Sequence, residues 1–285
     1  MAKHYPVITK MTLSEASPSV GRAIRHIDVG RCLSQANRRL YRYGRCYRSK
    51  IDLEPDSNTQ FEVYALRNDW AVHKGFQLAY EAYVKNGSEE AAMMSDSQAA
   101  RWNDFRSRPG IATASYADVG PVFYQGTVAT QLVNQGEFTQ TAVIDGAGNA
   151  RTFTWDGTAS SSEYGILEEY DKMGNAQSAP ESTLSGMAYD DLNTNVDAAM
   201  MNILETHGDN PPYDKDGVNK DNAFVKIATL NSNSPNAQKL STGFFDAPCG
   251  VILIIQTSFE DIAEKYTLSV QSGDYKGVNA PSLLE

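Results

Sequence analysis

The side chains with the most evident chemistry are arginines. Arg22, Arg25, Arg31, Arg38, Arg39, Arg42, Arg45 and Arg48 fall within 27 positions with no lysine among them, and Lys50 follows. A guanidinium is a planar fork that grips phosphate at two points. This density therefore points to nucleic-acid phosphate, the alternative being pairing with acidic groups of this chain or of a neighbour. Residues 1–50 hold eleven Lys and Arg against two Asp and Glu, a net +9, whereas the whole chain carries −10, which leaves −19 on the other 235 residues. Such asymmetry is the mark of a polyanion-binding arm. An acidic body repels DNA from most of its surface, so the expected protein turns one face to nucleic acid and the other to solvent.

Other chemistry is sparse. His4, His26, His73 and His207 stand apart, without HxH or HExxH spacing, and are expected at the surface or an interface. The stretch Asp145-Gly146-Ala147-Gly148 sits in a hairpin loop, not between a strand and a helix, so it is no phosphate cradle. Asp214-Lys215-Asp216-Gly217 resembles part of a calcium loop. Placing Gly217 sixth puts Pro212 first and Ala223 twelfth, so the EF-hand pattern fails; loose calcium binding with Asp209 or Asp221 is the alternative to a solvated acidic loop. Glu168-Glu169 and Asp190-Asp191 are adjacent, and neighbours on a strand point to opposite faces, so neither pair spans a substrate. No catalytic residue, metal site or cofactor is expected, and the chain reads as a non-enzyme.

The elements that would position the basic residues alternate in period. Residues 1–36 read as an N-terminal arm with a short helix or turn near Val20–Ile27. Residues 38–53 read as a strand with Tyr41, Tyr43, Tyr47, Ile51 and Leu53 on one parity and Arg42, Arg48 and Lys50 on the other. Arg45 falls on the apolar parity and needs a partner. A second strand spans Gln60–Leu66. Val72, Phe76, Ala79, Tyr80 and Tyr83 recur at helical spacing, with Asn68 or Asp69 as cap and Gly87 as terminator. Another helical stretch from Ser88 reaches Arg101-Trp102, so a helical pair is inserted over about residues 68–106. Trp70, Trp102 and Phe105 are expected to pack it on the sheet.

Strands are then expected at Val122–Val133, at Thr141–Ile144 and Ala150–Trp155 as a hairpin, and at Tyr164–Tyr170. Residues 171–195 read as a surface connection, Val196–Thr206 as an amphipathic helix and residues 208–222 as a loop. Ala223–Leu230, Gly250–Ser258 and Lys265–Gln271 complete about nine strands. The expected fold is mainly β, a single antiparallel jelly-roll sandwich over residues 37–285 with a helical insertion and long loops.

Composition agrees: 41% hydrophobic residues can build a core, and 21 Gly and 15 Tyr suit a β-rich, loop-rich chain. The longest apolar run, Val251–Ile255, reads as a buried strand and is far short of the ~20 residues that span a bilayer. The N-terminus has no apolar signal-peptide core. Three widely spaced cysteines, Cys32, Cys46 and Cys249, argue against a disulfide framework or structural zinc and for reduced thiols in a cytosolic or nuclear compartment.

Seven segments together resemble the capsid proteins of small circular Rep-encoding single-stranded DNA viruses: NRRLYRYGRCYRSKIDL (37–53), VYALRNDWAVHKGFQLAYEAYV (63–84), ARWNDFR (100–106), GILEEYD (165–171), GDNPPYD (208–214), FVKIATL (224–230) and FFDAPCGVILI (244–254). The resemblance covers residues 37–258 and implies a jelly-roll subunit that self-assembles into an icosahedral shell around circular single-stranded DNA. It implies a virion location, assembly inside the host cell or its nucleus, and no membrane insertion. The host receptor is left unknown. Arg22, Arg25, Arg31, Arg38, Arg39, Arg42, Arg48 and Lys50 are the expected DNA-facing set. The alternatives are another virion structural protein or a carbohydrate- or ligand-binding β-sandwich, whose Tyr and Trp would stack on sugar rings.

Overall fold

A computed structural model describes residues 6–13, 21–54, 59–93, 104–110, 116–125, 128–130, 140–144, 148–156, 162–175, 223–232, 239–258 and 265–284. The first half contains β1 (Lys10–Thr12), β2 (Gly21–Asp28), α1 (Val29–Asn37), β3 (Cys46–Glu54), β4 (Thr59–Leu66), α2 (Trp70–Met93), β5 (Tyr116–Val119), β6 (Phe123–Gln125) and β7 (Val128–Thr130). After it come β8 (Ala142–Ile144), β9 (Ala150–Thr154), β10 (Glu163–Gly165), α3 (Ile166–Asn175), β11 (Phe224–Ser232), β12 (Leu240–Ser241), β13 (Phe245–Pro248), β14 (Val251–Ser258), β15 (Lys265–Val270), β16 (Ser272–Gly273) and β17 (Gly277–Val278). The chain is mainly β, and its two largest sheets are antiparallel except where β2 meets β5.

One five-stranded sheet runs β11-β4-β14-β2-β5. The other runs β1-β15-β3, with β12 and β13 in succession along the far side of β3. A core of Ile27, Phe61, Val63, Ala65, Ile252 and Ile254 from the first sheet and Tyr47, Ile51, Leu53, Tyr266 and Leu268 from the second lies between them. The expected alternation holds along β3: Tyr47, Ile51 and Leu53 are buried, and Arg48 and Lys50 are partly exposed.

β14 explains why Val251–Ile255 is a continuous apolar run. Ile252 and Ile254 face the other sheet, whereas Val251 joins a second core on the outer side. A strand covered on both faces has no solvent parity to fill with polar residues. The second core collects Phe76 from α2, Ile166 and Leu167 from α3, Phe153 from β9, and Tyr43, Phe105 and Trp155. Phe76 stacks on Trp155 and Tyr80 and meets Phe105 edge-on. The indole of Trp155 donates to the Tyr43 hydroxyl at 2.9 Å, so its buried N–H is satisfied. Burial pushes the Cys32 and Cys46 thiols up to about 12 and Cys249 well above its ordinary range, so all three stay protonated at neutral pH.

Several expectations change. Residues 21–28 are not arm, helix or turn but an inner strand paired with β14 and β5, and α1 is buried along most of its length, so no free arm extends to residue 36. Removing residues 1–36 would take β1, β2 and nearly all of α1 out of the fold. The Ile24/Ile27 spacing is a weak helical signal, which pairing on both sides of β2 overrides. The strand expected from residue 38 begins at Cys46. Asp69 does cap α2, accepting the Val72 N–H at 3.0 Å, but one helix runs through Gly87 to Met93 in place of a helical pair. A single interior glycine costs only about 1 kcal/mol relative to alanine.

Tyr164–Tyr170 is not one strand: β10 ends at Gly165 and α3 begins, its first turn carrying Glu168 and Glu169, where negative charge suits a helix N-terminus. The stretch from Val122 folds as a hairpin of β6 and β7. The hairpin of β8 with β9 is as expected, and Phe105 packs as expected, while Trp70 is 54% exposed against Tyr170. Trp102, the Val196–Thr206 helix, the loop 208–222 and its calcium-like stretch lie outside the described residues.

Two substitutions test this account. Phe76→Ala should destabilise the fold by about 3–5 kcal/mol in chemical denaturation, because it deletes a ring at the centre of the second core. Gly87→Ala should raise stability by about 0.5–1 kcal/mol if the helix is continuous; a loss of stability would return Gly87 to the role of terminator.

Candidate nucleic-acid interface

The eight basic residues expected to face DNA are not one stripe. Arg31 is withdrawn from any surface role. It lies in α1 with its side chain 3% exposed, its guanidinium 3.4 Å from Asp118 and donating to the Val119 carbonyl at 3.2 Å. The cause is local: Asp28 ends β2 and caps α1 by accepting the Arg31 N–H at 2.8 Å, which sets the first helical turn against β5. His26 is likewise buried, contrary to the surface expectation, and its Nδ1 lies 2.7 Å from Asp118. Burial pushes the Asp118 carboxyl up, but the hydrogen bond and charge of His26, with Arg31 and Arg108, outweigh it and hold the group at about 2.

Arg22 and Arg25 belong to β2. Arg22 is exposed opposite Thr257, and its charge helps hold Glu62 below its ordinary range, behind the hydrogen bonds from Lys226 and Tyr64. Arg25 is half-buried, and its register opposite Ile254 places it on the inter-sheet parity. Arg48 and Lys50 share the outward face of β3. Arg48 pairs with Asp246 at 3.0 Å, and Lys50 with Asp52 at 3.0 Å. This part of the basic stripe is therefore matched by acids of the same chain, the alternative that composition left open.

Arg38, Arg39 and Arg42 lie in the irregular segment between α1 and β3. Arg38 is the exposed left-handed C-cap of α1, with φ 54°. Arg42 is 52% exposed and 3.6 Å from Asp104. Arg45, outside the expected DNA-facing set, and Lys276, which the sequence did not single out, join them. Arg45 finds the partner its parity required: it donates to the Ala280 carbonyl at 3.0 Å and lies 3.9 Å over the Tyr275 ring. Lys276, also left-handed at φ 52°, donates to the Leu40 carbonyl. Burial lowers the Lys276 ammonium below its ordinary range, and Arg42, Arg39 and Arg45 lower it further against the opposing charge of Asp104. The only sequence signal for Lys276 is a basic residue beside tyrosine in a Gly-Asp-Tyr-Lys-Gly turn, 236 positions from Leu40.

Asp104 is already engaged. It accepts the Tyr43 N–H at 2.9 Å and lies 3.5 Å from Arg106, which also pairs closely with Asp28 and donates to the Tyr41 carbonyl at 3.3 Å. Burial raises the Asp104 carboxyl, and these cations oppose it.

Elsewhere, an apolar groove of about 500 Å³ runs between α2, α3 and the β8–β9 hairpin, lined by Leu78, Ala79, Val143, Phe153 and Tyr164. Among the described residues, no group of three His, Cys, Asp or Glu is placed to hold a metal ion, and no helix is long and apolar enough to cross a membrane.

The Asp118 pair makes a pH prediction. The folded chain holds this carboxyl at about 2 against an ordinary 3.8, so its contribution to stability is complete above about pH 4 and disappears as pH falls through about 2. Acid titration of unfolding should show this loss, and Asp118→Asn should flatten it while lowering stability at neutral pH. In comparisons with known proteins, no family model, no curated protein and no solved structure matches this chain.

Proposed function

We propose that this chain is the coat protein of a virion, a jelly-roll subunit that self-assembles into an icosahedral shell and contacts a single-stranded DNA genome through its Arg-rich N-terminal segment. The observation that carries the reading is the order of strands. Early β2 lies beside late β14, which lies beside β4 and then β11, while β3 and β13 lie in the opposite sheet. The chain thus changes sheets between β2, β3 and β4 and again between β13, β14 and β15, the winding expected when a long hairpin is rolled into two facing sheets. The turn that carries β13 into β14 is tight: the Gly250 N–H donates to the Ala247 carbonyl at 3.0 Å, and Cys249 and Gly250 both have positive φ.

The charge distribution supports the same reading. A cationic cluster at residues 38–45 and 276 sits on a chain that is acidic elsewhere. Sequence-independent phosphate contact needs only such a cluster. The resemblance of residues 37–258 to capsid proteins supplies the biological setting.

The test is negative-stain microscopy of the purified chain with the 260/280 nm absorbance ratio of the same fraction. Closed uniform particles are expected, with a high ratio marking co-purified nucleic acid. Rings or small oligomers across salt and pH would replace the reading with another virion component, and a persistent monomer would favour a ligand-binding sandwich.

A further inference from the structure

We propose that Lys276, Arg42 and Arg39, with Arg45 stacked on Tyr275, form a preorganised site for one nucleotide of single-stranded nucleic acid, its phosphate held by the cations. The ligand class rests on the coat-protein reading and deepens it, because it moves the contact from an N-terminal arm to a built site at one end of the sandwich.

Two segments far apart in sequence build the site, and each fixes the other. The Tyr41 hydroxyl donates to the Lys276 carbonyl at 3.0 Å, and the Tyr275 hydroxyl accepts the Arg42 N–H at 3.1 Å. The two rings meet edge-on with centroids 6.1 Å apart. The Lys276 ammonium lies 5.9 Å from the Tyr41 ring centroid and 5.4 Å from that of Tyr275, and its bond to the Leu40 carbonyl uses one of three donors. The Lys276 ammonium and the Arg42 backbone are therefore positioned before any ligand arrives, and the half-exposed Arg42 guanidinium is already held 3.6 Å from Asp104, so less side-chain ordering remains to oppose binding.

Electrostatics and shape select the ligand. Burial is the first cause of the lowered Lys276 ammonium, and Arg42, Arg39 and Arg45 add a like-charge repulsion that a bound anion relieves. Phosphate is the anion that a planar guanidinium and a point-charge ammonium grip together. Arg45 stacked 3.9 Å over Tyr275 adds a flat cationic platform of the kind on which unstacked bases lie. A sulfated glycan would use the cations but has no flat base for the platform, so nucleic acid is favoured.

The experiment is fluorescence anisotropy of the full chain with a labelled oligo(dT) of about 16 nucleotides, over a salt series, for wild type, Arg42→Gln, Lys276→Gln and Lys74→Gln. Lys74 is an exposed lysine of α2 outside the cluster. Arg42→Gln and Lys276→Gln should each raise Kd by about tenfold or more. Each should also reduce the slope of log affinity against log salt by about 0.7 for every phosphate the variant no longer neutralises. Lys74→Gln should leave both near wild type. Should Lys276→Gln fail to fold, half-exposed Arg42→Gln decides alone. Unchanged affinity and slope in the cluster variants would overturn the site, as would binding of heparin fragments without binding of the oligonucleotide. Microscopy of wild type runs in parallel. Closed particles with insensitive cluster variants sink the site and leave the coat reading; small oligomers with weakened binding in those variants do the reverse.

Discussion

The buried pairing of Asp28 with Arg106 is the interaction on which the rest of the structure leans. Asp28 ends β2, caps α1 and holds Arg106, while Arg106 reaches the Tyr41 carbonyl and Asp104. One carboxylate therefore ties a sheet, a helix and the irregular segment that carries the cationic cluster. Burying two charges costs several kcal/mol each before their attraction is counted, and removing one partner leaves the other stranded. Hydrogen bonds from the Arg31 N–H to Asp28 and from Arg106 to the Tyr41 carbonyl offset part of that cost.

Around that joint the molecule is layered. The inter-sheet core forms the sandwich, and α2, α3 and β8–β10 cover one outer end of the first sheet with a second, aromatic core. β14 belongs to both, since Ile252 and Ile254 face one core and Val251 the other. Tyr43 and Trp155 connect the second core to the segment that bears Arg42 and Arg45. The cationic surface thus stands on rigid packing, which is what a site needs if it is to bind without first ordering itself.

Much of the β framework is legible in the chain. The alternation through Tyr47, Ile51 and Leu53, the strand at Gln60–Leu66, the buried run at Val251–Ile255 and the β8–β9 hairpin follow from period and turn chemistry. The misses have physical causes. Ile166, Leu167 and Tyr170 fit a short strand or one helical turn equally well, and short apolar runs carry too few repeats to separate the two periods. β2 looks like arm because Arg22, Arg25 and Asp28 break its alternation; partners on both sides, not its own pattern, make it a strand. The arginines are legible as chemistry but not as places.

By itself the sequence determined the class of chain: β-rich, acidic with a basic N-terminal segment, aromatic enough for a large core. Those properties are sums and periods, and they survive without knowledge of contacts. Only the tertiary structure decided where the cations gather. Arg31 is engaged by Asp118, Arg48 meets Asp246 on β13, Lys50 meets Asp52 along β3, and Arg42 and Arg45 gather with Lys276 from the far end of the chain. Charge acts through distance in space, and the fold brings residues 233 and 235 positions apart to within a side chain's reach.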